Sequence, residues 1–269
     1  MPPHRVLDRL LILIPAYNEQ GAIRQVVTQV RAVMPAVDVL VVDDGSSDAT
    51  AREAEAAGAF VVRHPFNLCV GGAVQTGLKF AQQASYDMVI RLDGDGQHDP
   101  HDIPALYAAL RSRRADVAVY SRFLETEAPA MPIPRLRRLG IYLFALAVTL
   151  LTGRRATDTT SGFIGMNRRA ITTLAAYMPQ DYPEVESRII LHKAGLTVLE
   201  LPGRMQARLS GVSSINSWRS LYYALKVSVA VLTAILKDVP VVKGEHATGM
   251  EGIYAGSYTS RATSHSPLP

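Results

Sequence analysis

The chain has 269 residues, 48% hydrophobic and 19% charged, which predicts a globular fold of one large or two small domains. A single cysteine, Cys69, excludes an internal disulfide framework and suits the cytoplasm. The formal charge of +4 is uneven: residues 1–100 carry 8 Lys/Arg against 12 Asp/Glu, residues 101–226 carry 17 against 9, and residues 227–269 carry 3 of each.

In chain order, residues 1–9 read as a short disordered lead. Residues 10–14 form an apolar run of strand length, too short for a signal peptide and closed by Pro15. Residues 21–34 have helical spacing, with Ile23, Val26, Val27, Val30 and Val33 on one face. A buried strand at 38–42 ends on Asp43-Asp44-Gly45. Ser47 or Asp48 then caps a helix running to Gly58. A strand at 59–62, a helix at 71–84 and a strand at 87–92 follow. This alternation predicts an α/β fold, a mostly parallel sheet flanked by helices, with ligands bound beyond the carboxyl ends of the strands. Those ends carry Tyr17-Asn18-Glu19, Asp43-Asp44-Gly45-Ser46, Asn67 and Asp93-Gly94-Asp95.

Asp93 and Asp95 directly follow the fourth strand. Two carboxylates one residue apart can hold Mg²⁺ or Mn²⁺, with water and phosphate oxygens filling the other positions. An ordinary Asp/Gly turn is the alternative. A calcium loop fails, because its twelfth position holds Pro104 instead of Glu. His98, Asp99 and His101 suggest a metal cluster, but exposed turn residues are the expectation.

Beyond residue 100, a helix at 102–113 and a strand at 116–121 precede a loop at 124–134. A helix at 135–151 has a basic start, with Arg135, Arg137 and Arg138, and an apolar body. A short strand at 162–166, helices at 168–177 and 184–194, and a strand at 196–201 follow. Gly195 closes the second of these helices. A basic loop at 204–214 leads to an amphipathic helix at 217–236. A Gly/Ser/Thr/Pro-rich tail from about residue 243 reads as disordered. The apolar segments 139–151 and 221–236 fall short of the roughly 18–20 residues of a spanning helix. They read either as core helices or as helices in a membrane interface. The basic half suits phosphate groups or an anionic membrane surface. Nucleic acid is disfavoured, since the basic residues are not interleaved with aromatics.

Six motifs stand in one order: Ile14-Pro15-Ala16-Tyr17-Asn18-Glu19, Val41 to Asp48, Asn67 to Ala73, Leu92 to His98, Thr160-Ser161-Gly162-Phe163, and Arg208 to Ile215. Together they resemble the family 2 glycosyltransferases of GT-A fold, most of all their polyprenyl-phosphate branch, over roughly residues 8–236. The resemblance implies a GT-A domain at 10–215, with a nucleotide and metal half at 10–100 and an acceptor half at 101–215. A helical extension at 216–242 and the tail at 243–269 follow it.

The resemblance also implies roles. Pro15, Ala16, Tyr17 and Glu19 would line the base and ribose, Asp43 would bond the base edge, and Asp44 would sit beside it. Asn67, Gly72 and Ser213 would complete the nucleotide-sugar site. Asp93, Asp95 and Gln97 would hold Mg²⁺ or Mn²⁺. Arg208 would close over the diphosphate, and Arg122, Arg135 and Arg138 would meet the acceptor phosphate. Glu184 and Glu186 occupy the position of a catalytic base, or simply favour the start of a helix. Cys69 replaces a glycine usual in the third motif and would carry strain if φ is positive there.

The implied activity is inverting, metal-dependent transfer of a sugar from a nucleoside diphosphate to polyprenyl phosphate. It would take place at the inner face of the cytoplasmic membrane, with room for a small membrane partner subunit. A hydroxyl acceptor and a non-catalytic nucleotide-sugar-binding protein are the alternatives. The sugar and the nucleotide base stay open.

Overall fold

A computed structural model describes residues 8–124, 135–180, 183–203, 205–206 and 233–242. The elements in order are β1 (Leu10–Ala16), α1 (Ile23–Val33), β2 (Asp38–Asp43), α2 (Thr50–Ala56), β3 (Phe60–Arg63), α3 (Cys69–Gln83) and β4 (Met88–Arg91). After a 3₁₀ turn at Pro100–Asp102 come α4 (Ile103–Arg111), β5 (Val117–Ser121), α5 (Arg135–Thr152), β6 (Ile164–Asn167), α6 (Arg168–Tyr177), α7 (Pro183–Lys193) and β7 (Val198–Pro202). Residues 1–7 of the expected lead, the tail, residues 125–134 of the expected loop and most of the segment from 204 to 232 lie outside the described residues; Arg9, at the end of the lead, donates its amide to Asp87 Oδ2 at 2.9 Å.

The strands form one seven-stranded sheet in the order β3-β2-β1-β4-β6-β5-β7. Alternate residues of β1 supply both faces: Leu11 and Leu13 join the cluster under α3, α6 and α7, while Leu10, Ile12 and Ile14 join the one under α1 and α4. A strand covered on both faces has no solvated side, so it reads as an unbroken apolar run. Gly77 lets α3 approach closely, since a Cβ there would sit 2.2 Å from Leu13 Cδ1. Asp48 accepts from the Thr50 amide at 2.9 Å at the start of α2, and Gly195, at φ 72°, closes α7.

One strand breaks the parallel pattern. β6 runs antiparallel between β4 and β5, pairing Arg91 with Ile164. The start of β6 therefore lies beside the end of β4. The turn before β6, at residues 157–163, is brought to the same edge as the Asp93 loop.

Cys69 opens α3 at φ 66°, a left-handed conformation that costs a side chain about 1–2 kcal/mol. Its amide donates to Asn67 Oδ1 at 2.9 Å, which holds the turn in place. Cys69→Gly is therefore expected to raise the melting temperature by roughly 2–4 °C in a thermal unfolding scan. Cys69→Val is expected to lower it, because a β-branched residue tolerates positive φ least.

Candidate functional site

The ends of β1 and β2 are laced together. The Asp44 amide donates to Ala16 O at 2.8 Å, the Asn18 amide to Ser46 Oγ at 2.9 Å, and the Ser47 amide to Asn18 Oδ1 at 2.9 Å. The Glu19 amide donates to Thr50 Oγ1 at 2.9 Å. Pro15 and Ala16 are buried in β1, while Tyr17 is exposed at the rim.

Asp43 and Asp44 sit side by side and differ in environment. Asp44 Oδ1 accepts from the Leu68 amide at 2.9 Å and meets His64 Nδ1 at 2.7 Å, while His64 Nε2 meets Thr76 Oγ1 at 2.9 Å. Asp44 thereby ties the Asn67 loop to the sheet. Asp43 Oδ1 accepts from the Ser46 amide at 3.0 Å, and its Oδ2 is buried with no hydrogen bond. The Asn67 side chain is exposed except for its bond to Cys69. Gly72 is buried, where a Cβ would sit 2.7 Å from Leu68 Cβ.

Asp93 is gripped on both oxygens. Arg91 Nη2 donates to Oδ1 at 3.1 Å, and His98 Nε2 lies 3.2 Å from Oδ2. The same Arg91 nitrogen donates to Glu184 Oε1 at 3.2 Å, so one buried cation joins the end of β4 to the first turn of α7. Gly162 closes the third side: a Cβ there would fall 2.6 Å from Asp93 Oδ2. Burial raises the Asp93 carboxyl, but the Arg91 charge and the His98 bond outweigh it and hold it well below the usual carboxylate range. Glu184 is pushed up by burial, which Arg91 only partly offsets.

His98 corrects the sequence reading. It is buried, with its ring 5.1 Å from that of Phe163, because the turn after Gly96 folds it back onto Asp93. His101 is exposed, as expected. Asp95 is buried, and its Oδ1 accepts from the Gln97 amide at 2.9 Å. The Gln206 amide donates to Gln97 O at 2.8 Å, His98 bridges Met205, and Gln206 Nε2 donates to Asp99 Oδ2 at 2.9 Å. Residues 205–206 thus lie against the Asp93–Asp99 turn, two residues before Arg208.

The donor set suits a hard divalent cation. Asp93 stays ionised and is a third open, with 34% of its side chain exposed. Among the described residues no group of three or more His, Cys, Asp and Glu side chains is arranged to hold a metal. A cation at Asp93 and Asp95 would therefore draw its remaining ligands from phosphate oxygens and water, the usual pattern for Mg²⁺.

Arg122 makes a bidentate pair with the enclosed Asp158, Nε to Oδ2 at 2.6 Å and Nη2 to Oδ1 at 2.8 Å, and also reaches Thr160 Oγ1. Its guanidinium holds the 157–162 turn in place. Arg188 braces the same turn through Asp158 O at 3.1 Å and Glu200 Oε1 at 2.9 Å. Arg138 is exposed on α5, and Glu186 is partly buried on α7. Arg208, Ser213 and the side chains of Arg135 and Arg137 lie outside the described residues.

Three contributors escaped the sequence reading: Arg91, Asp158 and Arg188. For Arg91 a signal existed. An arginine inside a strand covered on both faces survives only when its charge is paired.

Residues 11–174 match the family model described as Glycosyl transferase family 2. The undecaprenyl-phosphate mannosyltransferase of Micrococcus luteus is 31% identical over 160 residues, 58% of this chain and 65% of that protein. The UDP-N-acetylglucosamine–dolichyl-phosphate N-acetylglucosaminyltransferase of Methanococcus voltae is 29% identical over 215 residues, 72% of this chain and 85% of that protein. Among solved structures, glucosyl-3-phosphoglycerate synthase from Mycobacterium tuberculosis, in complex with Mn²⁺, UDP and glucosyl-3-phosphoglycerate, superposes with a TM-score of 0.67. That likeness is one of fold, at 20% identity, covering 87% of this chain and 81% of the other.

Proposed function

The chain belongs to glycosyl transferase family 2, and on that premise we propose that it transfers a sugar from a nucleoside diphosphate to a polyprenyl phosphate at a membrane surface. The observation that carries the acceptor is on α5. Leu139, Tyr142, Leu143, Leu146 and Leu150 recur at helical spacing and are between 43% and 75% exposed. An apolar stripe of this length on an isolated protein marks an interaction surface. Beside it lies a groove of about 420 Å³, lined by Arg138, Tyr142, Leu146, Arg155 and Thr157 among others. Thr157 also begins the turn whose Gly162 abuts Asp93. No described helix is long and apolar enough to cross a membrane. A helix lying in the interface with arginines at its edge suits an anionic lipid surface. A small membrane partner subunit would sit on the same stripe.

The chemistry follows from the acceptor. A phosphate monoester has a second pKa of about 6, so its oxygen is already anionic at neutral pH. It attacks the anomeric carbon without a general base. The new carbon–oxygen bond forms as the bond to the departing diphosphate breaks from the opposite face, which inverts the centre. Mg²⁺ or Mn²⁺ held by Asp93, Asp95 and Gln97 would supply the counter-charge for that diphosphate. Arg208 and Ser213 are assigned to the same diphosphate. Arg138 and Arg155 offer N–H donors to the acceptor phosphate, joined by Arg135. Arg122 lends its charge while holding Asp158. Glu184 serves as the partner of Arg91, and Glu186 favours the start of α7.

Flotation tests the membrane half. The protein is expected to rise with vesicles containing anionic lipid, and Leu143→Glu with Leu150→Glu is expected to lower the bound fraction several-fold without changing nucleotide binding. A protein that stays unbound to anionic vesicles, with or without polyprenyl phosphate, would count against the lipid acceptor.

A further inference from the structure

We propose that Arg63 reads the base of the bound nucleotide together with Asp43, selecting a base whose ring N–H stands beside a carbonyl over one with that pattern reversed. Uracil and guanine have the first pattern; cytosine and adenine have the second. The inference rests on the nucleoside diphosphate sugar reading above.

The pair is built into the sheet. β2 and β3 run parallel with Asp43 opposite Arg63, so the two side chains emerge together at the ligand edge. Their exposures are opposite: the Asp43 side chain is 0% exposed and that of Arg63 is 59% exposed. Arg63 Nε lies 3.2 Å from Asp43 Oδ2, yet that oxygen accepts no hydrogen bond. Arg63 Nη2 donates to Ser46 O at 2.9 Å, which leaves the cation lying across the carboxylate. A buried acceptor without a hydrogen bond is costly and asks for a donor.

The surroundings fit a flat heteroaromatic ring. Tyr17 and Phe66 are both exposed. Their loops meet here: Asn18 bonds Ser46, and the Gly45 backbone approaches Phe66 so closely that a Cβ would fall 2.8 Å from its carbonyl carbon. Two exposed aromatic residues thus sit on the loops that meet beside the Asp43 and Arg63 pair, where an acceptor has a donor next to it. Asp43 offers a single oxygen, because Oδ1 already holds the Ser46 amide. A ring N–H has one hydrogen to give, whereas an amino group has two and would leave one unpaired. The carbonyl next to that N–H takes an Arg63 N–H. Cytosine or adenine in the same seat would set a ring nitrogen lone pair against the carboxylate.

The test is calorimetric titration, with Mn²⁺ present, of UDP, GDP, CDP, ADP and inorganic diphosphate into the wild-type protein and Arg63→Met. The wild type is expected to prefer UDP or GDP over both CDP and ADP by about tenfold or more. Arg63→Met is expected to weaken the preferred nucleotide by about tenfold, bring its ratio to CDP and ADP close to one, and leave inorganic diphosphate unchanged. An unchanged ratio in Arg63→Met, or an equal loss for inorganic diphosphate, overturns the inference. Nucleotide bound by the wild type without base preference overturns it and spares the transferase reading. A wild type that binds no nucleotide overturns both.

Discussion

Asp93→Asn is expected to lower sugar transfer by on the order of 10²–10³-fold and to abolish Mn²⁺-dependent nucleotide binding. The geometry makes the change severe. Arg91 donates to one Asp93 oxygen at 3.1 Å, and the His98 ring nitrogen meets the other at 3.2 Å. An amide in the same place keeps Arg91 with its oxygen only by turning its NH₂ group toward His98, which must then take the tautomer whose Nε2 accepts. It also removes the negative charge that a divalent cation needs. Rotation away is blocked on the Gly162 side, where the carboxylate already occupies the space of a Cβ. Steady-state kinetics with a saturating nucleotide sugar, beside calorimetry with Mn²⁺ and UDP, separates the two effects. Asp93→Asn with near-normal rates and metal binding would remove this turn from the chemistry.

Arg91→Met is expected to be the most destabilising single change at the site, by about 3–5 kcal/mol, because it leaves buried carboxylate charge without its partner. That corresponds to a fall of roughly 6–20 °C in melting temperature. The effect should depend on pH with a definite sign. Glu184 is already pushed up by burial, with Arg91 pulling it back. Without Arg91 its folded-state value rises further above the unfolded one. A carboxyl raised in this way penalises folding at neutral pH, and the penalty disappears once pH falls below the unfolded value of about 4.3. The gap between Arg91→Met and wild type should therefore narrow from pH 7 toward pH 4.5, measured without divalent cation. A gap that widens on acidification would show that Glu184 is not the group Arg91 neutralises.

Much of the first half was legible in the sequence for a physical reason. Strands covered on both faces read as plain apolar runs, and the helices between them keep a clear period, as with Ile23, Val26, Val27 and Val30 on α1. The carboxylates at the strand ends stood out because sheet topology gives those positions meaning. The antiparallel insertion of β6 was not legible. It is four residues long, and its pairing depends on contacts distant in the chain. With it went the approach of Gly162 to Asp93. His98 misled because a histidine in an Asp/Gly turn is usually exposed, and only the fold shows the turn closing over Phe163. The pairing of Arg122 with Asp158 across 36 residues has no local signal. The strain at Cys69 could be anticipated, since it replaces the glycine that a positive φ of 66° favours.

We propose above that the sugar is placed on a lipid phosphate. The direct measurement incubates the full chain with a panel of nucleotide sugars, decaprenyl or undecaprenyl phosphate and Mn²⁺, and analyses the organic extract by mass spectrometry. The expected product is a polyprenyl monophosphate carrying one sugar, formed from at least one donor and absent when the cation is chelated. Transfer to hydroxyl acceptors with no lipid-linked product, under conditions where the donor is consumed, would contradict it.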